Sequence, residues 1–118
     1  MMKKPLNHYD VFDVVVVPFP FIDSSETKKR PAIVLSSHEA FNKSSRSCVL
    51  AMITSATHTP WPCDVTITDL QTAGLPVKSL IRMKLFTLDQ RLIMKTIGTL
   101  SIKDQKCFEK NLKHLLAI

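Results

Sequence analysis

The sequence predicts a mostly-β protein, a small and largely antiparallel β-barrel with appended helices. Three observations predict it: short β-branched or alternating segments recur along the chain, only short helical stretches separate them, and one amphipathic segment ends the chain. The 118 residues suffice for one core, and hydrophobic residues make up 45% of them. We therefore expect a single domain over residues 1–118.

Strands are predicted where β-branched residues cluster or where apolar and polar residues alternate. The first runs from Asp13 to Phe19, because four consecutive valines favour extended backbone. Pro18 and Pro20 must lie at its end or at an edge, since proline donates no ladder hydrogen bond. The other predicted strands cover residues 31–37, 47–53, 64–68, 78–88 and 93–99. Alternation in 78–88 places on one face Leu80, Arg82, Lys84 and Phe86, and on the other Ile81, Met83, Leu85 and Thr87.

Loops are predicted at 21–30 and 54–63, where turn-forming residues collect, and helical turns at 38–42 and 69–74. Asp69 caps the second turn and Gly74 ends it. A terminal helix begins at the S-x-x-D pattern of Ser101 and Asp104. Its apolar stripe consists of Phe108, Leu112, Leu115 and Leu116. We expect this stripe to pack on the sheet rather than on a membrane surface.

Composition narrows the function classes. Sixteen Lys and Arg against ten acidic residues give a formal charge of +6, which suits a polyanionic partner or simply a soluble basic surface. Three cysteines without a C-x-x-C pattern indicate free thiols in a reducing cytosol and no zinc site. Two glycines are too few for a phosphate-binding loop or a dinucleotide fingerprint. We expect a cytoplasmic protein with no signal peptide, membrane span, metal or cofactor.

Three adjacent cations, Lys28, Lys29 and Arg30, close the first long loop directly before Pro31. The planar guanidinium of Arg30 matches a phosphate through two parallel hydrogen bonds, and the start of a strand can hold it still. The pattern alone favours a solvated basic loop.

Thr54 and Ser55 follow the third predicted strand, where their hydroxyls can donate to phosphate oxygens or merely cap a turn. Among the four histidines, which are taken as surface residues, His58 is near enough in sequence to serve as a general base at the same place.

Five segments together resemble the MazF/PemK family of toxin–antitoxin ribonucleases, especially its PemK-like branch. They are DVVVVPFPF (13–21), KKRPAIVLSS (28–37), VLAMITS (49–55), AGLPVKSLIRMKLFTLD (73–89) and IGTLSIKD (97–104). The segments follow the family's order and spacing. The resemblance implies an SH3-like barrel with a C-terminal helix, assembled as a homodimer.

The resemblance also implies an activity: a type II toxin that cuts single-stranded RNA at specific sequences without a metal. RNA lies in a groove at the dimer interface, where a cognate antitoxin lays an acidic, otherwise disordered segment, and DNA is bound only through the antitoxin complex. The family's essential Arg and Thr fall on Arg30 and Thr54. The products carry 2′,3′-cyclic phosphate and 5′-hydroxyl ends.

The remaining site residues are expectations from the same resemblance. Glu26 is a candidate general base, because some relatives place an acidic residue in that loop. The expected RNA contacts are Lys28, Lys29, Ser55, Arg82 and Lys84. Phe19 and Phe21 stack on bases if they face the groove, and core positions are favoured for both.

One departure from the family concerns Phe12, which stands where relatives usually have Gly, a residue that indicates a special backbone angle or a close approach. Two rival functions share the barrel: a gyrase inhibitor of the CcdB type, and a non-catalytic co-repressor that binds antitoxin and DNA. The Arg30 and Thr54 segments favour the ribonuclease over the gyrase inhibitor.

Overall fold

The sheet is antiparallel throughout and curls into a half-barrel, which confirms the predicted fold class. A computed structural model of the protein describes residues 8–19, 28–57 and 59–118. The strands are β1 (Asp13–Phe19), β2 (Lys28–Val34), β3 (Ser47–Ser55), β4 (Val65–Thr66), β5 (Ser79–Asp89) and β6 (Lys95–Thr99). Their order across the sheet is β4-β5-β3-β2-β1-β6.

Helical segments lie between the strands and at the end of the chain. They are a π-helical turn (His38–Asn42), α1 (Lys43–Ser45), α2 (Leu70–Ala73), a 3-10 turn (Gln90–Leu92) and α3 (Ile102–Leu116). The predicted caps of α2 are confirmed: the Asp69 side chain accepts from the Thr72 N–H, and Gly74 has φ 74°. In the parts of the chain that the structure describes, no helix combines the length and hydropathy that a membrane span requires.

Two strand boundaries differ from the prediction in ways that concern function. β2 begins at Lys28 rather than at residue 31, so the three cations lie in the strand and not in a loop. They pair with the end of β1, where Phe19 lies opposite Lys28. β3 continues to Ser55, because Thr54 and Ser55 pair with Leu80 and Ser79. Ladder pairing with a neighbour extends both strands, and single-sequence patterns do not contain that information.

Both faces of the central strands are buried, which explains the run of valines in β1. Val14 belongs to an apolar cluster beneath the helices, together with Ile33, Ile53 and Phe108. The next residue, Val15, belongs to a second cluster on the opposite face. This second cluster contains Tyr9, Val15, Val17, Ala32, Val34, Cys48, Leu50, Leu88 and Ile93. Since side chains alternate along a strand, consecutive valines supply both clusters.

In β5 the predicted alternation holds for the paired residues, and a bulge interrupts the pairing. Arg82 lies opposite Met52, whereas Leu85 lies opposite Ala51, so Met83 and Lys84 are extra residues. Phe86 lies opposite Leu50 and returns to the face of Arg82. The bulge leaves Lys84 exposed at the sheet surface.

Helix α3 is held on the rest of the fold by the buried Phe108, by the partly buried Leu112 and by one buried carboxylate. Phe108 is buried at 1% exposure, but Leu115 and Leu116 are 42% and 48% exposed, so only the first part of the predicted stripe packs. Asp104 is fully buried. Its carboxylate accepts hydrogen bonds from the Thr68 hydroxyl at 2.7 Å, the Thr68 N–H at 2.9 Å and the Asp69 N–H at 3.0 Å.

Phe12 has the backbone angle that glycine usually supplies, with φ 74°. Its N–H donates to the Val34 carbonyl, and its own carbonyl accepts from the Leu100 N–H. The ring contacts Phe108 edge-on, with centroids 6.4 Å apart. Packing on α3 and two backbone hydrogen bonds therefore offset the strain of a left-handed conformation in a residue with a side chain.

Candidate functional site

Arg30 and Thr54 line one cavity of about 200 Å³. Its lining consists of Phe19, Arg30, Met52, Ile53, Thr54, Arg82 and Lys84. The register explains the convergence: Ala32 pairs with Met52, and Arg30 and Thr54 each lie two residues beyond this last pair, on the same face. Two residues far apart in sequence thus present their side chains on the same face of adjacent strands.

This face changes character along its length. At one end it carries the second apolar cluster, whose buried members include Ala32 and Leu50. Further along the two strands, it carries Arg30, which is exposed, and Met52 and Thr54, which are half-buried. The rigid apolar end therefore holds the strands that present the polar end, as a precise binding site requires.

Some of the residues predicted to contact RNA do not line the cavity that contains Arg30. Lys28 shares the face of Arg30 by alternation, whereas Lys29 lies on the opposite face. Ser55 is likewise on the face opposite Thr54, and its hydroxyl lies 3.0 Å from that of Thr57. The cavity brings together Arg30, Thr54, Arg82 and Lys84 and is not lined by Lys28, Lys29 or Ser55. RNA contacts at those three positions stay predictions.

Arg82 is held by protein partners. Arg82 is only 7% exposed, and its guanidinium forms an ion pair with the Asp64 carboxylate at 3.0 Å. The same Nη2 atom donates to the Thr59 carbonyl at 2.8 Å. These contacts fix the segment 59–64 against the sheet. A phosphate contact by Arg82 stays a prediction, and its structural role is one that the strand pattern did not reveal.

Two aromatic residues lie at this site in positions that the sequence did not assign to them. Phe19 is 40% exposed and lines the cavity, so the expected core position is wrong. Trp61 is 44% exposed. The Arg82 guanidinium carbon and the Lys84 ammonium each lie 5.0 Å from the centre of its ring. The available signal was a single tryptophan in a proline-flanked loop.

Three residues named from the sequence, Glu26, Phe21 and His58, lie outside the described residues. Within residues 8–19, 28–57 and 59–118, no group of three His, Cys, Asp or Glu side chains is arranged to hold a metal ion.

A second basic cavity, of about 630 Å³, lies at the other end of β3 and β5. It is lined by His38, Lys43, Arg46, Asp89, Gln90 and Arg91. Arg91 forms an exposed ion pair with Asp89 at 2.9 Å, and this contact raises the Arg91 pKa. The charges that line this second cavity are thus partly neutralised. The cavity also lacks the arginine and threonine pair that makes the smaller cavity the candidate site.

Solved structures share the fold. A MazF from Deinococcus radiodurans superposes with a TM-score of 0.72 at 23% identity, covering 93% of this chain and 97% of the other. A MazE–MazF structure from the same organism gives 0.74 at 19%, covering 94% and 98%. A mycobacterial endoribonuclease in complex with its cognate antitoxin gives 0.73 at 13%, covering 96% and 97%. At such identities the likeness establishes the fold alone.

Family membership rests on the sequence itself. No curated protein sequence shows significant similarity to this chain. Residues 10–116, however, match the family described as PemK-like, MazF-like toxin of type II toxin-antitoxin system. This range includes both Arg30 and Thr54 and nearly the whole described fold. The chain belongs to the PemK-like, MazF-like family of toxins from type II toxin–antitoxin systems.

Proposed function

We propose that this toxin is a cytosolic endoribonuclease that cuts single-stranded RNA and leaves 2′,3′-cyclic phosphate and 5′-hydroxyl ends. The observation that carries the proposal is the shared cavity of Arg30 and Thr54. It combines a permanently charged planar donor with a hydroxyl donor, which is the equipment needed to bind and polarise a phosphodiester.

The chemistry requires little of the protein because RNA contains its own nucleophile. The 2′-hydroxyl oxygen attacks the adjacent phosphorus, a new P–O2′ bond forms, and the P–O5′ bond breaks. The 2′-hydroxyl gives up its proton to the general base, and the departing 5′-oxygen takes a proton from solvent water to leave as a 5′-hydroxyl. The protein must hold the attacking and leaving oxygens in line and stabilise negative charge on the pentacoordinate phosphorus. DNA lacks the 2′-hydroxyl and is therefore not cut.

In this reaction Arg30 neutralises the charge that develops on the non-bridging oxygens. Its fork of donors favours a bidentate contact, which also fixes the orientation of the phosphate. The Thr54 hydroxyl donates to one of the same oxygens from the neighbouring strand. Lys84 lines the cavity, is exposed, and supplies a contact to a flanking phosphate. The proposed base is Glu26, which lies outside the described residues.

Replacing Thr54 with alanine is expected to lower the cleavage rate about 10-fold to 100-fold, because one donor to the transition state is lost. Thr54→Ser keeps the hydroxyl and should retain most of the rate. Single-turnover cleavage of one RNA by the three proteins measures both effects. Equal rates for Thr54→Ala and Thr54→Ser would remove the hydroxyl from the mechanism.

A metal is not part of the proposed mechanism, since the substrate supplies the nucleophile and Arg30 supplies the charge. The test is incubation of the purified protein with a long single-stranded RNA in excess EDTA, followed by mapping of the ends. Discrete cuts with 2′,3′-cyclic phosphate and 5′-hydroxyl termini are expected. Intact RNA after incubation with folded protein contradicts the proposal, and inhibition of DNA gyrase then becomes the next activity to measure.

The proposed partners follow the family. We propose a homodimer with RNA bound at its interface and an antitoxin whose acidic segment covers the same groove. The formal charge of +6 supports both ligands, because a basic surface attracts RNA and acidic peptides alike. Two of the similar solved structures, the mycobacterial complex and MazE–MazF, contain an antitoxin. DNA is proposed to be bound only through the antitoxin complex.

A further inference from the structure

Trp61 is the only tryptophan of the chain, and it stands beside the candidate site without lining the cavity. Almost half of its surface, 44%, is exposed. The two cations at 5.0 Å from its ring centre, Arg82 and Lys84, both line the cavity that holds Arg30 and Thr54. A large exposed ring thus lies one side chain away from the proposed phosphate position.

The segment that carries Trp61 is fixed before any ligand binds. The backbone N–H of Trp61 donates to the Asp64 carboxylate at 2.8 Å. The same carboxylate forms the ion pair with the buried Arg82 guanidinium. From the other side, the Asn111 amide of α3 donates to the carbonyls of Cys63 and Asp64 at 3.2 and 3.3 Å. A pre-organised ring loses little conformational freedom when a ligand stacks on it.

The two cations over the ring differ in how easily they can be displaced. Arg82 is buried and ion-paired, so it stays in place. Lys84 is exposed, and an exposed cation–π contact is worth about two-fold to five-fold in an equilibrium. A nucleobase that stacks on an aromatic side chain strengthens binding by about five-fold to 150-fold in the equilibrium constant. A base therefore displaces the Lys84 ammonium, which becomes available to a phosphate oxygen.

We propose that Trp61 is a stacking platform for an unpaired nucleobase next to the scissile phosphate of single-stranded RNA. This inference rests on the proposed ribonuclease function and adds a determinant of substrate binding to it. Duplex RNA does not fit this role, because its bases are stacked on one another. Since Trp61 does not touch the reacting phosphate, its loss should raise KM and leave kcat nearly unchanged.

The test uses the intrinsic fluorescence of the wild-type protein, which comes from Trp61 as its only tryptophan. The probe is a mixed-sequence 2′-O-methyl single-stranded oligonucleotide, which has no 2′-hydroxyl to react and which includes the cut site where cleavage has mapped one. Saturable quenching is expected, with none from the corresponding duplex. In cleavage assays we expect Trp61→Ala to raise KM about ten-fold and Trp61→Phe to restore most of the affinity.

Phe41→Ala is the matched control, since it removes an aromatic of 38% exposure from the π-helical turn, outside the cavity lining. It should change neither KM nor kcat. Melting temperatures of all variants show whether folding is intact.

The outcomes separate this inference from the function on which it rests. One outcome is that wild type cleaves RNA, that its fluorescence is not quenched, and that Trp61→Ala has an unchanged KM. This outcome overturns the stacking platform but not the ribonuclease function. Saturable quenching in a folded protein that cuts no RNA supports the platform and overturns the ribonuclease. A KM increase that Trp61→Phe does not relieve, or that Phe41→Ala matches, also overturns the platform.

Discussion

Replacing Arg30 with alanine is expected to lower RNA cleavage by about 100-fold to 1,000-fold or more, because the cavity loses the guanidinium that lies beside Thr54, while the other arginine in its lining, Arg82, is ion-paired with Asp64. Arg30 is exposed, so the change should alter the free energy of unfolding by no more than about 0.5 kcal/mol. Arg30→Lys keeps the charge and loses the planar fork, and an intermediate rate is expected. Single-turnover cleavage and chemical denaturation provide the two measurements.

Arg91→Ala is the matched control for this experiment. It removes one exposed guanidinium, and hence the same net charge, near the far end of β5 where the second cavity lies. If Arg91→Ala cleaves RNA at the wild-type rate and Arg30→Ala does not, the cleavage rate depends on where the guanidinium lies and not on the net charge of the protein. If Arg30→Ala cleaves RNA at the wild-type rate, the catalytic assignment is wrong, although the family membership is unaffected.

The largest expected effect on stability comes from Asp104→Ala. Asp104 is fully buried in the first turn of α3, and the substitution removes the carboxylate that accepts hydrogen bonds from the Thr68 hydroxyl and from the Thr68 and Asp69 N–H groups. Deleting one side of a buried, charge-assisted network typically costs about 3–5 kcal/mol. Urea denaturation should show this loss, whereas Glu109→Ala, an exposed acid on the same helix, should change stability by less than about 0.5 kcal/mol.

The same network makes stability depend on pH. Burial by itself raises the Asp104 pKa, but hydrogen bonds from Thr68, Asp69 and Ser101 outweigh it and hold the pKa below its usual value. A carboxyl whose pKa is lowered by folding stabilises the protein above its unfolded-state pKa of about 3.9. This contribution is lost as the pH falls through the folded-state pKa. The stability gap between wild type and Asp104→Asn should therefore shrink as the pH falls below about 4.

Asp104 also bears on the proposed stacking platform. Helix α3 carries Asn111, whose amide holds the segment that contains Trp61. Loosening the start of the helix removes this support from a distance. An Asp104→Ala protein that remains folded should therefore show weaker quenching by single-stranded RNA than wild type, while the Arg30 and Thr54 register is kept by the sheet.

Several features were predictable because they depend on neighbouring residues in the chain. Four consecutive valines require a strand that is buried on both faces, and β1 is found at the predicted residues. The hydroxyl of Ser101 caps α3 through the Asp104 N–H, as the S-x-x-D pattern indicates. The segments around Arg30 and Thr54 pointed to the family that residues 10–116 match.

Other features depend on contacts between distant segments. Nothing near Arg82 in sequence indicates that Asp64 neutralises it, because their meeting requires β4 and β5 to pair. Lys29 and Ser55 face away from Arg30 and Thr54 because side chains alternate along a strand, and pairing with the adjacent strands is what extends β2 and β3 over these residues. The position of Trp61 depends on both Arg82 and α3.

Sequence patterns predicted the fold class, the helix caps, the family and the pair of residues proposed for catalysis. These are expressed in local periodicity and in short segments whose side chains have an intrinsic preference or chemistry. Three features became visible only in the folded protein: the cations that share the cavity, the arginine that is held in an ion pair, and the aromatic rings that remain exposed beside it. The physical reason is that burial and charge pairing are properties of side chains brought together by the sheet register, and that register is fixed only when all six strands pack.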